Sequence, residues 1–101
     1  MLNSRQRAQL RGLANHLTPV FQIGKGGVND QLIRQTDELL ELRELVKLKT
    51  LETSPETSRE AAEKIAAQIG CDVVQVIGGV MVLYRPSKEK VPKDKRIKLV
   101  K

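Results

Sequence analysis

Residues 72–85, DVVQVIGGVMVLYR, contain the strongest local signal for the fold. Two runs rich in valine flank the pair Gly78-Gly79. A Gly-Gly pair between two such runs is typical of a two-residue β-hairpin turn. The stretch therefore predicts two adjacent antiparallel strands, and the elements before it are assigned relative to them.

Three segments upstream of the hairpin have helical periodicity. The first helix is predicted over residues 4–16, with Ser4 as its cap, and it ends before Pro19. Its inward face is predicted to consist of Leu10, Leu13, Ala14 and Leu17. The second helix is predicted from a cap at Asn29 to about Leu42.

The third helix begins at a capping box formed by Thr57 and Glu60, and it ends at Gly70. Two short strands, residues 20–23 and 44–51, separate the three helices. The resulting order is α-β-α-β-α-β-β. Two strand–helix–strand units imply parallel pairing, and the hairpin adds an antiparallel strand. This order predicts an α/β fold with a mixed four-stranded sheet and helices packed on it in layers.

The 101 residues carry a net charge of +6, distributed unevenly along the chain. Residues 1–29 hold four bases and no acid, residues 30–72 hold six bases and ten acids, and residues 85–101 hold eight bases and two acids. A solvated charged face is the ordinary explanation of any one charge. Segregation on this scale favours a polyanionic partner.

Composition also indicates the cellular setting. The single cysteine, Cys71, cannot form a disulfide within the chain, which fits a reducing compartment. The start of the chain lacks the apolar core of a signal peptide, and no apolar run approaches the length of a membrane span. We therefore expect a soluble, cytoplasmic, monomeric protein without a membrane partner.

The segment FQIGKGGVNDQL, residues 21–32, places a glycine-rich loop between a strand and a helix. A nucleotide-binding P-loop requires Gly-Lys where this chain has Asn29-Asp30, and an aspartate there would repel phosphate. The dinucleotide fingerprint fails as well, because Asn29 replaces its final glycine. What remains is a G-x-x-G loop from Gly24 to Gly27 with Lys25 as a cation, followed by the positive end of a helix. The alternative is an ordinary tight turn.

Three blocks carry a likeness to a known family: LRGLANHLTPVFQIGKGGV (10–28), ELVKLK (44–49) and VVQVIGGVMVLYRPSKE (73–89). Residues 2–88 resemble the CRM domain (chloroplast RNA splicing and ribosome maturation) in its bacterial, single-domain, YhbY-like form. The resemblance implies an RNA-binding domain similar in fold to the C-terminal domain of translation initiation factor 3. It also implies a link to precursors of the large ribosomal subunit. The family's loop residues correspond to Gly24, Lys25, Gly26 and Gly27.

Six further basic residues are candidates for RNA contact, namely Arg5, Arg7, Arg11, Lys47, Lys49 and Arg85. The three arginines of the first helix have no acid nearby. The two lysines form an outward stripe on the second strand, although solvated lysines there are an equally good explanation. Arg85 follows the last strand within a matched block. Arg34 and Arg43 are surrounded by acids, so for them we expect local ion pairs.

The two aromatic residues, Phe21 and Tyr84, lie in apolar strands and are predicted to be core. Few exposed rings favour binding to the RNA backbone over base stacking. With one histidine, no catalytic set and no metal-ligand spacing, the sequence predicts a non-enzymatic protein without a metal, nucleotide or other cofactor.

The domain organisation is predicted as a single RNA-binding domain over residues 1–88 and a basic, mobile tail over residues 89–101. The segment RIKLV, 96–100, is an exception that could form a short extension. The predicted partner is ribosomal RNA or a precursor of the large subunit. The alternatives are a general RNA or protein-interaction adaptor, whose acidic middle segment docks a protein, and a nucleotide-dependent enzyme.

Overall fold

The computed structural model describes residues 2–101. In chain order its elements are helix α1 (Ser4–Ala14), strand β1 (Phe21–Ile23), helix α2 (Asp30–Arg43), strand β2 (Leu45–Thr50), helix α3 (Ser58–Ile69), strands β3 (Asp72–Ile77) and β4 (Val80–Tyr84), and a short 3-10 turn (Lys93–Lys95). The predicted order and the α/β class with a mixed four-stranded sheet are confirmed.

The strand order in the sheet is β1-β2-β4-β3. β1 pairs with β2 in parallel, and β4 pairs antiparallel with both β2 and β3. The prediction of direct parallel pairing is right for β1 and β2 and wrong for β2 and β3, the strands on either side of α3. There the crossover through α3 leaves room for one strand between β2 and β3. β4 fills that position because a two-residue turn joins it to β3.

The sheet has a hydrophobic core on each face. Helices α2 and α3 cover one face through a cluster that includes Leu40, Leu48 and Ile65. Helix α1 covers the other face, where Leu10 and Tyr84 belong to the second cluster. The molecule therefore has three layers. The core assignment of the aromatics is confirmed, since Tyr84 is buried and Phe21 packs half-buried against the first cluster.

The ends of α2 and α3 follow local rules that the sequence displays. Asn29 caps α2 through the Leu32 N–H, Thr57 and Glu60 form a complete capping box, and Gly70 adopts the left-handed conformation that ends α3. The three caps predicted for α2 and α3 are confirmed.

Helix α1 differs from its prediction at both ends. Asn3, not Ser4, is the cap, because its side chain accepts the Gln6 N–H while the Gln6 side chain accepts the Asn3 N–H. The helix ends at Ala14. Leu13 was expected to face inward, but it is 42% exposed, since α1 buries only Leu10 and Ala14 against the sheet.

The C-terminal segment lies against α1. The side-chain amide of Gln9 donates to the Lys98 carbonyl at 2.8 Å and accepts the Val100 N–H at 2.9 Å. Ile97 and Leu99 pack against the second core cluster. Residues 96–100, for which a short extension was considered, are thus docked on the domain but form no helix or strand. Mobility of the tail in solution stays a prediction.

Two glutamates at the end of α2 hold the start of the tail, and we call Glu41 and Glu44 the tail latch. The Glu41 carboxylate accepts N–H groups from Lys88, Glu89 and Lys90. These bonds, led by that of Glu89, hold the pKa of Glu41 far below its usual range. Glu44 is buried, and its carboxylate accepts the N–H groups of Ser87 and Ile97 at 2.6 and 2.7 Å.

Candidate nucleic-acid interface

The G-x-x-G loop forms a tight turn at the end of β1. The Gly27 N–H donates to the Gly24 carbonyl at 2.9 Å, which closes a four-residue turn with Lys25 and Gly26 at its exposed tip. The backbone N–H groups of Lys25 and Gly26 have no acceptor among residues 2–101. The turn therefore presents two N–H donors and one ammonium group to solvent, a combination suited to a phosphate oxygen.

The glycines of this turn have different structural roles. Gly27 has φ +61°, and a Cβ placed there would lie 2.5 Å from Glu56 Oε1 and 2.9 Å from Pro55 Cγ. The fold itself therefore requires glycine at this position. A Cβ on Gly24 would meet only ordinary contacts, the nearest with Thr53 Oγ1 at 3.6 Å. Packing does not explain glycine at position 24, whereas close approach of a ligand to the backbone would.

Glu56 anchors the turn from the neighbouring loop. Its Oε1 accepts the Val28 N–H at 3.1 Å, and its Oε2 pairs with Lys64 Nζ at 2.6 Å. The hydrogen bond from Lys64 and then that from Val28 lower the pKa of Glu56. The carboxylate is thereby ionised and directed toward Lys64 and the Val28 amide, which reduces its repulsion of an anion at the turn.

Several loops and helix starts meet at the same end of the sheet. The β1–α2 turn and the β2–α3 loop (51–57) follow the carboxyl ends of two parallel strands. The β3–β4 turn reaches this end as well, since the Thr50 N–H donates to the Gly79 carbonyl at 2.6 Å. We call this region the loop end. Because α2 and α3 both begin here, their positive dipole ends add to the charge of Lys25.

The sheet lysines extend the basic surface away from the loop end. Lys49 is exposed and lies opposite Gln22 of β1, and Lys47 is half-exposed two residues earlier on the same face. This face is the one that α1 partly covers, because Leu45 at the next alternate position packs in the α1 cluster. Arg5 and Arg11 are exposed on α1. The structure thus places Lys47 and Lys49 along one face of the sheet, with α1 on that face and the turn that carries Lys25 at the adjoining loop end.

Two of the candidate arginines are engaged within the protein. Arg7 donates to the carbonyls of Val73 and Val74 and ties α1 to β3. Arg85 pairs with Asp37, and its side chain is only 12% exposed. These contacts give both residues a structural role, and the structure does not bring them together with the lysines. The partners are distant in sequence, so no local pattern could have indicated them.

Half of the acids in the acidic middle segment are engaged within the protein. Of its ten acids, five accept hydrogen bonds from other residues, namely Asp37, Glu41, Glu44, Glu56 and Glu60. This use leaves less acidic surface for the adaptor hypothesis. Arg34 and Arg43, for which local pairs were expected, form no ion pair among residues 2–101. Arg43 is therefore a further candidate for RNA contact. The sequence did not indicate it, because the acids near it in sequence suggested that it would form an ion pair.

Three features of residues 2–101 bear on other functions: the Cys71 thiol, possible metal ligands and the length of the apolar helices. Burial raises the pKa of the Cys71 thiol to about 11, so it is not a thiolate at neutral pH. Within residues 2–101 no group of three or more His, Cys, Asp or Glu side chains is arranged to hold a metal ion. No helix in this range is long and apolar enough to cross a membrane.

The fold and the site define a class: a small three-layer α/β protein with a basic, amide-presenting turn at one end of a mixed sheet. The CRS1/YhbY (CRM) domain family model matches residues 2–85, and the chain belongs to this family.

Proteins similar to this chain in sequence, and a solved structure similar to it in fold, are consistent with this family. The chain is 47% identical over 89 residues to "Probable RNA-binding protein YqeI" of Bacillus subtilis, covering 88% of this chain and 93% of that protein. It is 35% identical over 88 residues to a Haemophilus influenzae protein named "RNA-binding protein", with 87% and 89% covered. The solution structure of SAV1595 from Staphylococcus aureus superposes with a TM-score of 0.78 at 43% identity, covering 99% of this chain and 100% of that one.

Proposed function

We propose that this protein binds ribosomal RNA through its phosphate backbone and acts in assembly of the large ribosomal subunit. The observation that carries the proposal is the Gly24–Gly27 turn, with two unpaired N–H donors and Lys25 at its exposed tip. The names of the relatives support RNA as the ligand. The family resemblance is the basis for ribosomal RNA and the large subunit.

The RNA backbone would run from the loop end across the sheet face that carries Lys49 and Lys47. Arg5 and Arg11 on α1 would add contacts at its border. Contacts of this kind position the nucleic acid without reading bases, and each neutralised phosphate makes binding more sensitive to salt. In this proposal the protein is a cytoplasmic, non-enzymatic monomer and needs no nucleotide or metal.

Charge reversal at Lys25, with a matched control, tests the site. Lys25→Glu and Lys88→Glu both change an exposed lysine and shift the net charge by the same amount. Lys88 lies near Glu41, about 17 Å along α2 from the loop end, if each helical residue rises ~1.5 Å. We expect Lys25→Glu to weaken binding of ribosomal RNA fragments at least tenfold and Lys88→Glu to have a much smaller effect. Equal losses would show that only net charge matters and would contradict the loop site.

A cellular experiment tests the ribosomal part of the proposal. In-cell crosslinking followed by sequencing of the attached RNA should recover large-subunit ribosomal RNA, and the protein should co-sediment with large-subunit precursors on a sucrose gradient. Recovery of many unrelated RNAs, with sedimentation only near the top of the gradient, would instead favour a general RNA adaptor.

A further inference from the structure

A pocket of about 420 Å³ opens on the α1 face of the sheet, beside Lys47. Its walls come from the end of α1, the start of β2 and the docked tail. Leu13, Leu17 and Ile97 supply apolar wall, and Arg43 and Lys47 supply positive charge. None of its lining residues is acidic.

Leu13 contributes exposed apolar surface to this pocket. Its side chain lines the pocket and is 42% exposed, whereas Leu10 and Ala14 of the same helix are buried. Arg43 also lines the pocket and has no ion-pair partner among residues 2–101. An apolar wall next to unpaired cations, with no acid, complements a ligand that is flat and apolar in one part and anionic in another.

We propose that this pocket takes one unpaired nucleotide of the bound RNA. Its base lies against Leu13, Leu17 and the Arg43 guanidinium, and its phosphate lies at Lys47. The inference rests on the proposed function, because the same RNA strand would supply this nucleotide. Val20 at the pocket and Gly24 at the turn are four residues apart, about 13 Å on an extended strand. A few nucleotides span that distance, so one strand can reach both sites.

Arg43 offers a way to hold a base in a pocket that no Phe, Tyr or Trp side chain lines. A guanidinium plane stacks on a nucleobase, whereas a lysine ammonium supplies charge without a flat surface. The tail takes part as well, since Ile97 forms one wall and its N–H is held by Glu44 Oε1 at 2.7 Å. Selection of unpaired nucleotides would therefore depend on the docked tail.

The test compares two RNA hairpins that differ at one position, using the full chain. One hairpin has a single bulged 2-aminopurine in its stem, and the other has the same base paired with uridine. We expect the protein to bind the bulged hairpin about tenfold or more tightly than the paired one, as for one stacked base. Binding should also protect the bulged base from quenching by acrylamide.

Matched variants distinguish binding of a nucleotide in the pocket from attraction of RNA by positive charge alone. Leu13→Gln and Arg43→Ala should remove the preference for the bulge, and Arg43→Lys should reduce it while affinity for the paired hairpin is kept. The controls Leu42→Gln and Arg34→Ala change exposed residues of α2 outside the pocket and should leave the preference intact. Thermal melting confirms that each variant is folded.

Failure of the pocket inference and failure of the proposed function would give different results. Equal affinity of the wild-type protein for both hairpins, unchanged quenching, or a preference that survives Leu13→Gln would overturn the pocket and leave the proposed function standing. If the protein bound neither hairpin nor ribosomal RNA fragments, the proposed function would fail and this inference with it.

Discussion

Gly27→Ala should destabilise the protein much more than Gly70→Ala, although the two glycines have similar backbone angles. Their φ values are +61° and +67°. Forcing an L-residue into this region costs roughly 1–2 kcal/mol. A Cβ on Gly70 meets nothing within 4 Å, so this cost is the whole expected effect there.

At Gly27 the new Cβ would also collide with Glu56 and Pro55. The Pro55 ring is rigid, and Glu56 can move only by giving up its bond to the Val28 N–H. A hydrogen bond to a charged group contributes about 1.5–3 kcal/mol. We therefore expect Gly27→Ala to cost about 3–4 kcal/mol in total, at least ~1.5 kcal/mol more than Gly70→Ala.

Urea unfolding at 25 °C measures both free energies, and thermal melting provides a check at roughly 4–8 °C per kcal/mol for a domain of this size. A double-mutant cycle with Glu56→Ala isolates the contact, since the cost of Gly27→Ala should fall toward that of Gly70→Ala once the carboxylate is gone. If Gly27→Ala costs no more than Gly70→Ala, or if the cycle shows no coupling, Glu56 does not clamp the turn.

Three further outcomes are expected. Binding of RNA should have a slope of roughly −3.5 to −4.5 in log affinity against log salt, as for five phosphate contacts by Lys25, Lys47, Lys49, Arg5 and Arg11; a slope near zero in a filter-binding titration would contradict backbone binding. Deleting residues 96–101 should lower the melting temperature by about 5–10 °C, since one to two kcal/mol of apolar burial is lost, whereas a freely mobile tail predicts no change. Glu41→Gln should reduce the loss of stability that urea unfolding measures between pH 5 and 3, and Glu38→Gln is the control. A carboxylate whose pKa is lowered by folding stabilises the protein above the usual glutamate pKa, and this contribution declines as pH falls below it. If the stability of Glu41→Gln and of the wild type fell in parallel with pH, the result would argue against the tail latch.

The sequence predicted most of what depends on neighbouring residues. The hairpin at Gly78-Gly79, the capping box at Thr57 and the glycine end of α3 are each determined within a few positions, and all are present. The turn at Gly24–Gly27 is local too, and the structure places it between a strand and a helix as predicted.

What the sequence could not supply depends on contacts between distant segments. Arg7 and Arg85 look like the other basic residues until their partners on β3 and α2 are known. The position of β4 between β2 and β3 has no local signal. The tail has a composition typical of disorder, yet Glu41 of α2, the cap residue Glu44 and two glutamines of α1 provide its docking contacts.

The central position of β4 has a consequence for how the protein is made. β3 has no neighbour in the sheet other than β4, and β2 is joined to β3 only through it. A nascent chain that has not yet emerged past Gly79 lacks β4 and can pair β1 with β2 over three positions, but it can form no other ladder of the sheet. We therefore expect the sheet to form cooperatively and late, after most of the chain has left the ribosome, and the face carrying Lys47 and Lys49 to be completed in that same step.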